Sequence, residues 1–152
     1  MNHEIVHPFL ESARIVIEQV AGVKPSAGEF SIKEITKHDE YLWVHIGLTG
    51  QMTGDIIYGL HEEAALKMVS AMMGGFMLDE LGEIGHSAIS ELSNMISGNA
   101  STMLYNKGVR VDITPPKIMT STDGSHIGAT RALSIPLSME GIGSLDIQVL
   151  IA

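Results

Sequence analysis

The sequence predicts an α+β domain: three helices against a mainly antiparallel sheet of about six strands, with the long third helix carrying the functional site. Three observations point there. Apolar residues recur at helical spacing in three segments, and they alternate at period two in about six shorter ones. The alternating segments come mostly in pairs joined by turn residues, the pattern of hairpins rather than of crossover units.

Pro8 reads as the first position of a helix, where its fixed φ is useful and its missing N–H costs nothing. Phe9, Leu10, Ala13, Val16, Ile17 and Val20 then form a helical stripe that Gly22 caps and Pro25 stops. Glu29 to Lys37 predicts a strand with Phe30 and Ile32 facing one way. From Tyr41 to Leu48 the alternation is clear: Leu42, Val44, Ile46 and Leu48 on one face, Tyr41, Trp43 and His45 on the other. A turn at Thr49-Gly50 leads to a partner strand in which Met52, Ile56, Tyr58 and Leu60 alternate. Gly47, Gly50, Gly54 and Gly59 interrupt this pair and mark a bulge or a close backbone approach. They are not a phosphate-cradling loop, which would need a strand–loop–helix setting and a lysine. Glu62 to Met73 predicts a second helix, acidic in its first turn and closed by Gly74-Gly75. After the third helix, Val109, Val111 and Ile113 alternate up to Pro115-Pro116, and Ser121 to His126 is a turn-rich loop holding Asp123-Gly124. Arg131 to Leu137 and Ser144 to Ile151 form the last pair. With no linker and no low-complexity tract, residues 1–152 read as a single domain.

A chain of 152 residues can bury roughly 70% of its unfolded surface in one core. Its 18 acidic and 9 basic residues give a formal charge of −9, which repels phosphate backbones and argues against nucleic acid as a partner. The absence of cysteine excludes thiolate chemistry and a disulfide frame and fits a reducing cytoplasm. No basic-then-apolar leader opens the chain, and no apolar run approaches the ~20 residues of a membrane span. The expectation is a cytoplasmic protein without a membrane partner.

The third helix, from about Asp79 to Asn106, is the longest uninterrupted pattern. At roughly 100° per residue, Leu81, Ile84, Ala88, Ile89, Leu92, Met95, Ile96 and Met103 gather on one arc, with Gly85 among them. Glu83, His86, Ser87, Ser90, Asn94, Ser97, Gly98 and Ser101 lie opposite. Glu91 falls at the border, with Asn94 roughly 60° round and about one turn along, so both project into the same space. Serine and glycine are poor choices for a face that need only be soluble. They leave the backbone open, as a surface does when another molecule must come close.

Other motifs carry less. His3-Glu4-Ile5-Val6-His7 spells the H-E-x-x-H of zinc hydrolases, but that motif works on a helix, and Pro8 is expected to start the helix just after it. No metal is therefore expected on this chain. Gly85-His86-Ser87 starts like a nucleophile elbow, yet Ile89 replaces the final glycine and the setting is helical. His38, His45, His61 and His126 lack ligand spacing and read as solvated or satisfied, and Asn99 as a buried, hydrogen-bonded amide.

The run from Glu91 to Ala100, Glu-Leu-Ser-Asn-Met-Ile-Ser-Gly-Asn-Ala, resembles the E-x-x-N signature helix of the CheC/CheX/FliY family of chemotaxis phosphatases, and its Gly-Asn-Ala end the CheX branch. His7-Pro8-Phe9 and Ile46-Gly47-Leu48-Thr49-Gly50 agree, as does the order of elements along nearly the whole chain. Relatives of the CheC type carry the motif on two helices. Here the first helix has Glu11-Ser12-Ala13-Arg14, with arginine where asparagine would be required, so the chain resembles a single-site member. The resemblance implies hydrolysis of the aspartyl phosphate on a CheY-like response regulator, Asn94 orienting the attacking water and Glu91 engaging the regulator's lysine. It implies Mg²⁺ on the regulator and no cofactor here, partner contact through Ser87, Ser90, Ser97, Gly98 and Ser101, and a homodimer. The alternative is a non-catalytic signalling or flagellar-switch module on the same fold. Retention of both Glu91 and Asn94 favours the enzyme.

Overall fold

The computed structural model describes residues 3–34, 40–119 and 131–151. The end of the strand expected to reach Lys37, the loop from Ser121 to His126, and His38 lie outside these residues. In chain order the elements are α1 (His3–Ala21), β1 (Ser26–Ala27), β2 (Ser31–Glu34), β3 (Tyr41–Gly50), β4 (Gly54–His61), α2 (Glu62–Met72), α3 (Gly82–Asn106), β5 (Val111–Ile113), β6 (Lys117–Ile118), β7 (Arg131–Met139) and β8 (Gly143–Ile151). The sheet runs β1-β7-β8-β4-β3-β5, with β2 also on β7 and β6 also on β3, and every pairing is antiparallel.

The α+β class and the three helices agree with expectation; among the described residues the strand count rises from about six to eight. The additional strands, β1 and β6, are two residues each, too short to show a period. β4 is central, flanked by β3 and β8. Its inward residues Ile56, Tyr58 and Leu60 join Leu42, Val44, Ile46 and Leu48 of β3 in the core beneath the helices. Phe30 and Ile32, at the start of the expected first strand, stay 40% and 53% exposed.

α1 begins earlier than the proline suggests. Pro8 lies inside the helix, not at its first position. Ile5 and Val6 are each 1% exposed, and their burial holds the turn whose hydrogen bond the proline cannot donate. His3 to His7 are therefore helical, which removes the expected reason for setting the H-E-x-x-H string aside. His7 is exposed, and among the described residues no group of three or more His, Cys, Asp or Glu could hold a metal ion.

The opposite face of the sheet carries a smaller cluster, Trp43, Ile57, Ala132 and Leu150. Trp43 stands opposite Gly59 in the β3–β4 register. A Cβ on Gly59 would collide with the indole ring of Trp43, so this glycine is the close approach that the sequence pattern anticipates. His45 Nε2 is 2.6 Å from Asp55 Oδ1. His61 caps α2, its Nδ1 accepting from the Glu63 backbone N–H at 3.1 Å. Both histidines are satisfied, as expected. No helix among the described residues is long and apolar enough to cross a membrane.

Candidate functional site

α3 rests on the core through Gly85, Ile89, Leu92, Ser93, Ile96, Ser97, Ala100 and Leu104. This buried side is turned away from the most apolar arc of the sequence, towards its small residues. Small side chains let the helix backbone approach its neighbours, and hydroxyls that come with them must find partners. Ser12 Oγ on α1 donates to the Ile96 carbonyl at 2.6 Å. Tyr58 Oη and Ser97 Oγ lie 2.7 Å apart, both buried. Ser93 Oγ donates back to the Ile89 carbonyl at 2.9 Å, and Ser101 Oγ to the Val111 carbonyl of β5 at 3.1 Å. Burial holds the Tyr58 phenol well above its ordinary pKa, with the Ser97 hydrogen bond opposing weakly, so it stays neutral across the physiological range.

This roll of the helix changes the expected surface. Ile84, placed on the apolar arc by sequence, is 61% exposed, and Glu91, placed at the border, is exposed. Asn94 is half-buried, and Asn99, expected buried, is half-buried too. Neither Glu91 nor Asn94 has a hydrogen-bond or ion-pair partner among the described residues. Their polar ends are therefore available to another molecule. Of the small residues expected to receive a partner, Ser87 is exposed, and Ser90 and Gly98 are half-buried. Ser97 is 0% exposed with its hydroxyl committed to Tyr58, so it stands beneath the platform instead of on it. Ser101 is half-buried and committed to β5. Sequence reasoning missed the Ser97–Tyr58 bond. The signal was available: a tyrosine on the inward face of a central strand needs a partner for its hydroxyl.

Gly98 is informative because the fold does not need it. Its φ is not positive, and an added Cβ would meet only Ile113 Cδ1, at 4.0 Å. Glycine within a helix costs about 1 kcal/mol relative to alanine. Nothing among the described residues offsets that cost, whereas a molecule approaching the backbone beside Asn94 would benefit from the missing side chain. Gly98→Ala should therefore raise stability by about 0.5–1 kcal/mol in urea titrations, while Gly98→Leu, folded equally well, should lower activity towards a docked partner.

The site is a convex helix face. A groove of about 560 Å³ lined by Leu66, Ala71, Met77, Leu78 and Ile142 lies elsewhere, and neither Glu91 nor Asn94 lines it. Arg14, which stands where a second site would need asparagine, instead pairs with Glu11 at 3.1 Å on the surface. An exposed carboxylate and an amide one turn apart can grip a cation and orient a water on a partner's surface. They do not form a pocket for a small substrate.

Comparison with known proteins gives a consistent picture. The family described as chemotaxis phosphatase CheX matches residues 42–138. The CheY-P phosphatase CheX of Thermotoga maritima is 35% identical over 149 residues, 98% of this chain and 96% of that protein. Among solved structures, the CheX–CheY–BeF3–Mg²⁺ complex from Borrelia burgdorferi is 27% identical with a TM-score of 0.80, covering 96% of each chain. A CheC-like superfamily protein from a Shewanella species shares the fold, with a TM-score of 0.85 and 24% identity over 100% of this chain and 99% of its own.

Proposed function

The chain belongs to the chemotaxis phosphatase CheX family, and we propose that it hydrolyses the aspartyl phosphate of a CheY-like response regulator, with Asn94 and Glu91 of α3 as the working residues. The observation that carries this reading is the pair itself: two polar side chains without partners among the described residues, one turn apart, on a helix face left low by Ser87, Ser90 and Gly98.

An acyl phosphate on a regulator already lies beside that protein's Mg²⁺ and lysine, so this chain need supply neither metal nor nucleophile. The missing component is an ordered water. The Asn94 carboxamide can accept from or donate to a water and hold it in line with phosphorus, as a glutamine does in GTPases. Attack then transfers the phosphoryl group from the aspartyl carboxylate to water, releasing inorganic phosphate and the free carboxylate. Glu91 pairs with the regulator's lysine and fixes the register of docking. The backbone at Gly98 lets the partner's loops approach. The chain acts as one domain and, by family likeness, as a homodimer in the cytoplasm.

The test is phosphate release from a phosphorylated CheY-like regulator in Mg²⁺, using this protein after chelation and dialysis. Single-turnover decay should be faster than the regulator's own hydrolysis at stoichiometric or lower amounts of the chain. Unchanged decay across candidate regulators would remove the hydrolase reading.

A further inference from the structure

The outward line of α3 continues past the pair. Tyr105 follows Asn94 by eleven residues, which places it roughly 20° round and about 16 Å along the same side. It is 61% exposed, a large aromatic side chain on a face kept low elsewhere by Ser87 and Gly98. Gly108, at a φ of 89°, turns the chain back after the helix, and Arg110 follows beside the ring. The Arg110 guanidinium carbon lies 5.9 Å from the centre of the Tyr105 ring, within the range of a cation–π contact. Gln51, after the end of β3, fixes the backbone of this arginine. Its Oε1 accepts the Arg110 N–H at 2.6 Å, and its own backbone N–H donates to the Arg110 carbonyl at 3.0 Å. Gln51, Tyr105, Gly108 and Arg110 line a surface hollow of about 520 Å³, and of these four only Arg110 is charged. Arg110 is exposed and makes no ion pair among the described residues, not even with Asp112 two positions on.

We infer that Tyr105 and Arg110 are a second contact for the phosphorylated regulator, receiving a carboxylate that it carries about 16 Å from its aspartyl phosphate. The inference rests on the hydrolase reading above and adds what orients that substrate along α3. Two features select this occupant. A standard interface covers about 800 Å² on each partner, a patch of roughly 16 Å radius, so one centred on Asn94 extends to Tyr105. The ends of that patch also differ in sign, with a carboxylate at Glu91 and a guanidinium beside Tyr105, about 21 Å along the helix. A partner offering a lysine to the first and a carboxylate to the second docks in one direction only. A second copy laid antiparallel on this face would match the charges but cover Asn94, which the hydrolase reading requires to be open.

The experiment compares steady-state dephosphorylation of a phosphorylated CheY-like regulator by the parent protein, Arg110→Glu, Tyr105→Ser, Tyr105→Phe and Lys117→Glu. Lys117, exposed on β6 opposite His45, controls for the change in net charge. Urea titration verifies that each variant is folded. Arg110→Glu and Tyr105→Ser should each raise KM about 10-fold with kcat unchanged, because a contact remote from phosphorus contributes equally to ground and transition states. Tyr105→Phe keeps the ring and should retain the parent KM, as should Lys117→Glu. The gap between Arg110→Glu and the parent should narrow with added salt. A parent protein without activity would overturn the hydrolase reading and this inference together. An active parent whose KM survives both Arg110→Glu and Tyr105→Ser would overturn the contact alone. Lower stability in urea at an unchanged KM would do the same, assigning Arg110 to the C-terminal dipole of α3. An equal rise in KM for Lys117→Glu would reduce the effect to net charge. Conversion of a dimer to monomer by Arg110→Glu, seen by sedimentation, would assign the hollow to self-association and overturn the contact.

Discussion

Asn94→Ala should remain folded, keep most of its affinity for phosphorylated regulator, and lose about 10²-fold or more in turnover, the scale for removing a group that positions a reactant. The fold should survive because Asn94 is half-buried and no partner for its amide exists among the described residues, so truncation orphans nothing within the protein. Turnover should fall because no neighbour can replace it. Ser90 and Gly98, one turn away on either side, are too short to hold a water at the same point. Asn94→Asp preserves the shape but sets an anion towards a phosphoryl group and gives up the amide donor, so it should fail as well. Asn94→Gln keeps the chemistry but moves it by one methylene, and activity should be intermediate. Single-turnover phosphate loss, circular dichroism and a binding titration on the same preparations distinguish these outcomes. If Asn94→Ala stays folded, binds and turns over at the parent rate, the amide is not the water-orienting group and a non-catalytic module on this fold becomes the better reading.

Glu91→Lys should be the most damaging change to docking. The carboxylate is exposed and has no partner among the described residues, and Asp79, Glu80, Glu83 and Glu91 are the acidic residues between Lys67 and Lys107, a stretch of sequence without lysine or arginine. A lysine at its centre replaces attraction for the regulator's active-site lysine by repulsion, where docking removes both groups from water. The loss in kcat/KM should be on the order of 30-fold or more, and larger than for Glu91→Ala, which only removes the attraction. The difference should shrink with added salt. Equal rates for Glu91→Lys and the parent at low salt would rule out the pairing.

The elements most legible in the sequence are those whose packing repeats: the inward row of β3, the stripe of α1, and helix ends closed by Gly22 and Gly74, both at positive φ. The illegible ones depend on a partner elsewhere in the chain. β1 and β6 exist because β7 and β3 offer free edges, which two residues cannot announce. The start of α1 is set by burial of Ile5 and Val6, against the local signal of Pro8. For the site, the pair Glu91 and Asn94 and the openness at Ser87 and Gly98 were visible as residue types at helical spacing. The roll of α3 was not. Apolar periodicity placed the buried side near Ile84, whereas small residues and hydroxyl partners turned it towards Ser93, Ser97 and Ala100. Hydrophobicity is a poor guide where close approach, and not bulk, decides which side is inside.

The hydroxyl bonds beneath α3 have a consequence for how the helix can move. An apolar stripe alone tolerates small rotations and slides, because dispersion contacts are non-directional. The bonds from Ser12 to the Ile96 carbonyl, between Ser97 and Tyr58, and from Ser101 to the Val111 carbonyl are directional, and they bind the helix to α1, to the central strand β4 and to β5. Three such tethers to separate elements define both the angle of the helix about its axis and its position along it. Asn94, one turn from Ser97, inherits that definition. On the proposed mechanism, the entropy of fixing the backbone that carries a water-holding amide would be surrendered when the chain folds, before any regulator arrives.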